Sequence, residues 1–158
     1  MKLRDVAMNK TLVLGYGNAL RSDDGIGIEV AERIAGLNLH DVDVRTCHQL
    51  QIELVPDLAH YTRVIFVDAS VGGEHLCIRK ISSASHAPAS SSHSFNPESL
   101  YEFLKGLFHI DVEMFVCTIR GKNFSLGTSF SSEALEYAEE AVRSIVSIIE
   151  EEKPSCVG

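Results

Sequence analysis

Strand-sized apolar runs that stop at a glycine or an acid alternate along this chain with segments of helical periodicity. Few architectures accommodate that alternation. Thr11 to Gly15 is a short apolar run closed by glycine, as in a buried first strand. After a turn, Ile26, Val30, Ala31 and Ile34 recur at helical spacing, and Gly36 is a stop. Val42 to Cys47 alternates as a second strand. Ile52 to Tyr61 is helical in pattern, and Pro56 inside it predicts a kink or a late helix start. Val64 to Val67 is a third, fully buried strand ending at Asp68, and Leu76 to Ile81 is a fourth. Asn96 suits an N-cap and Pro97 a first helical position, so a third helix is expected to about Phe108. Val112 to Ile119 is the fifth strand. The last helix starts near Ser131, with an apolar stripe of Leu135, Ala138, Val142, Ile145 and Ile149, and a polar tail follows from Glu150.

This order predicts an α/β fold, a three-layer sandwich with a twisted five-stranded sheet flanked by helices. One link breaks the pattern. Ala69 to His75 is too short for a parallel crossover, so the fourth strand should run antiparallel and make the sheet mixed. The first, third and fifth strands then end on one edge. Ser82 to Phe95, with seven serines and no periodicity, is a loop long enough to carry the chain back to that edge. His93 is therefore expected beside the turn after the first strand and beside Asp68, where open α/β sheets hold ligands.

A length of 158 residues predicts one domain spanning 1–158. The formal net charge of -8 argues against a nucleic-acid groove or an anionic membrane surface as partner. The apolar runs are strand-sized, and the first residues lack the continuous apolar core of a signal peptide. None of Cys47, Cys77, Cys117 and Cys156 forms a C-x-x-C pair, and three lie in expected strands. A reduced, cytoplasmic protein without disulfides is the simplest expectation.

The groups that could carry chemistry are the Asp23-Asp24 pair, Asp68 and His93. Two carboxylates and an imidazole suit a divalent first-row metal and leave coordination positions open. The bland alternatives stand beside this: the acidic pair could cap the helix that follows, Asp68 could serve a turn, and His93 could lie on the surface. Other motifs fail. Leu20 replaces the third glycine of a dinucleotide fingerprint, and there is no phosphate-binding Gly-Lys-Ser/Thr and no nucleophile elbow. Cys47 and His48 are adjacent in a strand and would face opposite ways. His40, His60, His75, His86 and His109 form no ligand spacing.

The stretch Gly15-Tyr16-Gly17-Asn18-Ala19-Leu20-Arg21-Ser22-Asp23-Asp24-Gly25-Ile26-Gly27 resembles the G-x-G-N-x-L-x-x-D-[DE]-x-x-G signature of hydrogenase maturation endopeptidases. The likeness continues through the strand ending at Asp68, through His93 before a helix, and through the loop Gly121 to Thr128 with its Leu-Gly. It covers roughly residues 10 to 150. The resemblance implies a protease that trims the C-terminus of a [NiFe]-hydrogenase large-subunit precursor in the cytoplasm. Nickel would be carried by that precursor more than held as a resident cofactor. The implied metal ligands are Asp24, Asp68 and His93, and Asp24 or Asp68 would activate water unless the metal itself does. The family often has Glu at the position of Asp24, so the shorter side chain would alter the metal distance. A non-proteolytic, chaperone-like nickel-sensing module would use the same ligands. Cys47-His48-Gln49-Leu50 follows the second strand beside this edge. It looks like the His-Gln-Leu segment of a subgroup serving soluble cytoplasmic hydrogenases, and could read the precursor's surface. Alternatively, Leu50 and Ile52 simply pack the core.

Overall fold

The computed structural model describes residues 9–82 and 95–151. Five strands are present: β1 (Thr11–Tyr16), β2 (Val42–Cys47), β3 (Arg63–Ser70), β4 (Leu76–Lys80) and β5 (Glu113–Arg120). Four α-helices accompany them: α1 (Ile26–Gly36), α2 (Val55–Leu58), α3 (Pro97–Phe108) and α4 (Ser132–Glu151). They form one mixed sheet in the order β2-β1-β3-β5-β4. Every pairing is parallel except β4 with β5, which is antiparallel as the short link requires.

The strand sequences explain the layers. Successive residues of a strand point to opposite faces. Leu12 and Leu14 of β1, Val64 and Phe66 of β3, and Met114 and Val116 of β5 therefore meet Leu58 of α2 and Leu100 and Leu104 of α3 on one face. Val13, Ile65, Val67, Cys117 and Ile119 meet Ile26, Val30 and Ile34 of α1 and Ala138, Ala141 and Ile145 of α4 on the other. Unbroken apolar runs are the consequence of covering both faces.

Three details differ from expectation. Pro56 does start a late helix, but α2 is a single turn, entered through a 3-10 turn at Ile52–Leu54. The stripe of α4 is rotated. Ala134, Ala138, Ala141, Ile145 and Ile149 are buried, whereas Leu135 is 37% exposed. Alanines at 134, 138 and 141 join Ile145 and Ile149 on the face that packs against α1 and the sheet. Finally, β3 does not stop at Asp68. It runs to Ser70 because β5 continues to pair with it, through Asp68 with Thr118 and Ser70 with Arg120. On its other side pairing with β1 stops at the rung of Gly15 with Val67, and Tyr16, the last residue of β1, lies beside Asp68. Asp68 is thus a strand residue paired to β5 alone, with Tyr16 of β1 on its other side. The serine-rich loop lies almost wholly outside the described residues.

Candidate active site

The turn after β1 carries the first acidic group, and its glycines are demanded by contact. A Cβ on Gly27 would lie 2.3 Å from the carbonyl oxygen of Val67, and one on Gly15 would lie 2.3 Å from that of Gly27. Only glycine lets the first turn of α1 press onto the ends of β1 and β3. Gly17 has φ of 144°, and a Cβ there would meet the Asp24 carbonyl oxygen at 2.1 Å. The chain therefore folds tightly back, and Asn18 N–H donates to Asp24 Oδ2 at 2.7 Å. The Asn18 side chain in turn accepts from Leu20 N–H at 2.9 Å, which holds the turn.

Asp68 lies across from this turn at the same edge. Its Oδ1 accepts from Ala69 N–H at 2.8 Å, and the Tyr16 hydroxyl donates to the same carboxylate. Burial pushes the Asp68 carboxyl up from 3.8 to about 6. The charge of Asp24 adds to that rise, against the lowering effect of its two hydrogen bonds. The Tyr16 phenol is driven far above its ordinary value by burial and by Asp68 and Glu98, so it is a neutral donor. Glu98, in the first turn of α3, is itself buried and ion-paired with Arg79 of β4. The N-terminus of α3, capped by the Asn96 side chain accepting from Ser99 N–H at 2.8 Å, therefore stands near the same edge.

The two members of the acidic pair do different jobs, and neither caps α1, whose N-cap position is Gly25. Asp23 is fully buried. Its carboxylate accepts from the backbone N–H groups of Lys122, Asn123 and Ser131 at 2.8, 3.0 and 2.8 Å, and from the Ser131 hydroxyl at 2.7 Å. Burial works to raise this carboxyl, but the four donors outweigh it and hold it below the ordinary range. Ser131 also accepts from Ala134 N–H at 3.2 Å, capping α4. Asp23 thereby ties the loop after β5 and the start of α4 to the turn bearing Asp24. Ser22 N–H to Gly127 O, at 2.9 Å, and Ser22 Oγ to Ser125 O, at 2.8 Å, reinforce that seam.

The structure thus brings Asp24 and Asp68 to one edge and assigns Asp23 to the scaffold. His93 lies outside the described residues. No group of three His, Cys, Asp or Glu arranged for a metal occurs among the described residues. His48 and Gln49 are exposed beyond the end of β2, Leu50 is buried and Ile52 is 37% exposed. Leu50 alone of that pair packs the core. Cys47, Cys77 and Cys117 are free thiols, and Cys156 lies outside the described residues. Tyr16 was not singled out by sequence reasoning. Its role depends on which strand neighbours β1, and no local pattern reports that.

Fold and edge together define a class: an open-sheet α/β protein whose acidic groups gather at the carboxyl ends of its parallel strands. A Methanocaldococcus jannaschii protein named "Putative hydrogenase maturation protease" is 30% identical over 133 residues, covering 80% of this chain and 82% of its own. The [NiFe] hydrogenase maturation protease HycI from Thermococcus kodakarensis matches the fold with a TM-score of 0.72 at 24% identity, over 90% of this chain and 93% of its own. The E. coli hydrogenase maturating endopeptidase HybD matches with a TM-score of 0.73 at 18% identity, over the same shares. No family model matches the chain. The chain belongs to the hydrogenase maturation protease family, and is by that membership a hydrolase of the endopeptidase class.

Proposed function

We propose that this protein removes the C-terminal peptide of a nickel-loaded [NiFe]-hydrogenase large-subunit precursor, in the cytoplasm, as a single domain. The observation that carries this reading is the pairing of Asp24 and Asp68. Two carboxylates share one edge, and one of them is raised to about 6 by burial and by the other's charge. A divalent cation placed between them would relieve that repulsion, and the oxygen donors suit a first-row metal. In this proposal Asp24, Asp68 and His93 meet the nickel that the precursor brings, which seats the scissile bond at the edge. A carboxylate of the pair, Asp24 or Asp68, accepts the proton of the attacking water unless the nickel itself activates that water. The free thiols of Cys47, Cys77 and Cys117 agree with a reducing compartment. Among the described residues no helix is long and apolar enough to cross a membrane.

The test is incubation with a nickel-loaded precursor, followed by intact-mass measurement of the large subunit. Loss of a C-terminal peptide with the wild type is expected. Asp24→Ala, Asp68→Ala and His93→Ala are expected to abolish or severely reduce that loss while remaining folded. Binding of the precursor without cleavage would instead favour a nickel-sensing module. Full processing by the Asp24 variant would remove that residue from the ligand set.

A further inference from the structure

The row of side chains that crosses the sheet at its carboxyl edge contains a group the proposed reaction has not used. Tyr16 pairs with Cys47 of β2, and the last rung between β1 and β3 joins Gly15 to Val67. Tyr16 and Asp68 are therefore the next residues on adjacent parallel strands, and their side chains share a face. That face is the one covered by α2 and α3, with Tyr16 and Cys47 packed at the rim of its core. The Tyr16 hydroxyl donates to the Asp68 carboxylate, whose Oδ1 also takes Ala69 N–H at 2.8 Å.

We propose that Tyr16 is a positioning residue that holds the Asp68 carboxylate in the orientation needed to face a divalent cation shared with Asp24. This rests on the reading of Asp68 as a metal-facing group. The physical argument is steric and electrostatic. A carboxylate beside a second carboxylate turns away from the like charge unless something fixes it. The Ala69 N–H fixes one side, and it belongs to the backbone. Tyr16 supplies the other from a ring packed against the rim of the core. Donors of this outer-shell kind orient a ligand without touching the metal, and losing one typically costs about 10–100-fold in metal affinity or activity.

The experiment compares wild type, Tyr16→Phe and Asp68→Ala. Phenylalanine keeps the packing and removes only the hydroxyl. The first readout is the affinity of the metal-free protein for Ni2+ alone, by calorimetry. The second is the separation of kcat from KM on the nickel-loaded precursor, which decides the question if Ni2+ alone binds too weakly to measure. Tyr16→Phe is expected to weaken Ni2+ binding about 10–100-fold and, because the nickel seats the precursor, to raise KM for the precursor as well as lower kcat. Wild-type affinity and kcat in a folded Tyr16→Phe protein would overturn the assignment and leave Tyr16 a packing residue. Wild-type Ni2+ binding and processing in Asp68→Ala would overturn the reading of Asp68 itself, and Tyr16's role with it. The two failures are thus distinguishable.

Discussion

Replacing Asp68 by asparagine should stabilise the metal-free protein at neutral pH and not in mild acid. The carboxyl is raised from 3.8 to about 6. Between those values the folded state binds more protons than the unfolded chain, so stability falls as pH rises through this window. At about 1.4 kcal/mol per tenfold change in proton affinity, the ionised group costs about 3 kcal/mol at pH 7.5. Asparagine removes that cost but turns one accepting oxygen into an N–H donor group, a loss of about 1 kcal/mol at either pH. The net gain is about 2 kcal/mol, or about 4–8 °C in Tm for a domain of this size. At pH 4.5 the wild type is largely protonated at this position. Only about 1 kcal/mol of the cost remains there, which the lost accepting oxygen cancels. Thermal unfolding in the presence of a chelator, at both pH values, measures the difference. An Asp68→Asn variant that melts at or below wild type at pH 7.5 would refute the reasoning. So would one that keeps the same advantage at pH 4.5, because the gain would then have nothing to do with charge.

Asp23→Ala should act in the opposite direction, because it strands buried donors from Lys122, Asn123 and Ser131. Urea unfolding should show a loss of about 2–5 kcal/mol. The wild-type contribution of Asp23 should itself fade as pH falls below about 3.8, since its carboxyl is held low in the folded state and must be protonated in acid. Gly27→Ala should cost about 1–3 kcal/mol or more by forcing α1 off the Val67 carbonyl, and should lower processing by displacing Asp24. It would melt like wild type only if α1 does not pack as described. Exchanging residues 47 to 50 for a glycine-rich turn should alter preference between the protein's own precursor and a membrane-bound hydrogenase precursor. Because Leu50 is buried, the exchange should keep Leu50, leaving exposed His48 and Gln49 as the variables. Unchanged preference in that folded variant would remove the segment from specificity.

Much of the architecture was legible because its causes are local. The apolar runs at Val13 and Val64, the Asn96-Pro97 helix start and the short link before Leu76 each restrict the backbone within a few residues. Together they imply a mixed sheet with a ligand edge. The glycines and acids of the Gly15 to Gly27 segment were legible as a motif through their resemblance to a family signature. The stripe of α4 was not, since Leu135 and Ala134 fit a helical period equally and only packing against α1 and the sheet selects between them.

The division of labour within Asp23-Asp24 is likewise invisible in the sequence, where the two are the same residue type side by side. Asp23 is a clamp because residues about a hundred positions later fold back onto it, and Asp24 is free for chemistry because it does not receive those donors. Tyr16 reaches Asp68 only because β1 and β3 are neighbours in the sheet, with the register Gly15 to Val67. Sequence by itself determined which elements form and which residue types reach the carboxyl edge, because helical period, strand alternation and link length act over short range. Strand order, register and helix depth determined which of those groups touch, because these follow from long-range packing that brings distant segments within hydrogen-bond reach.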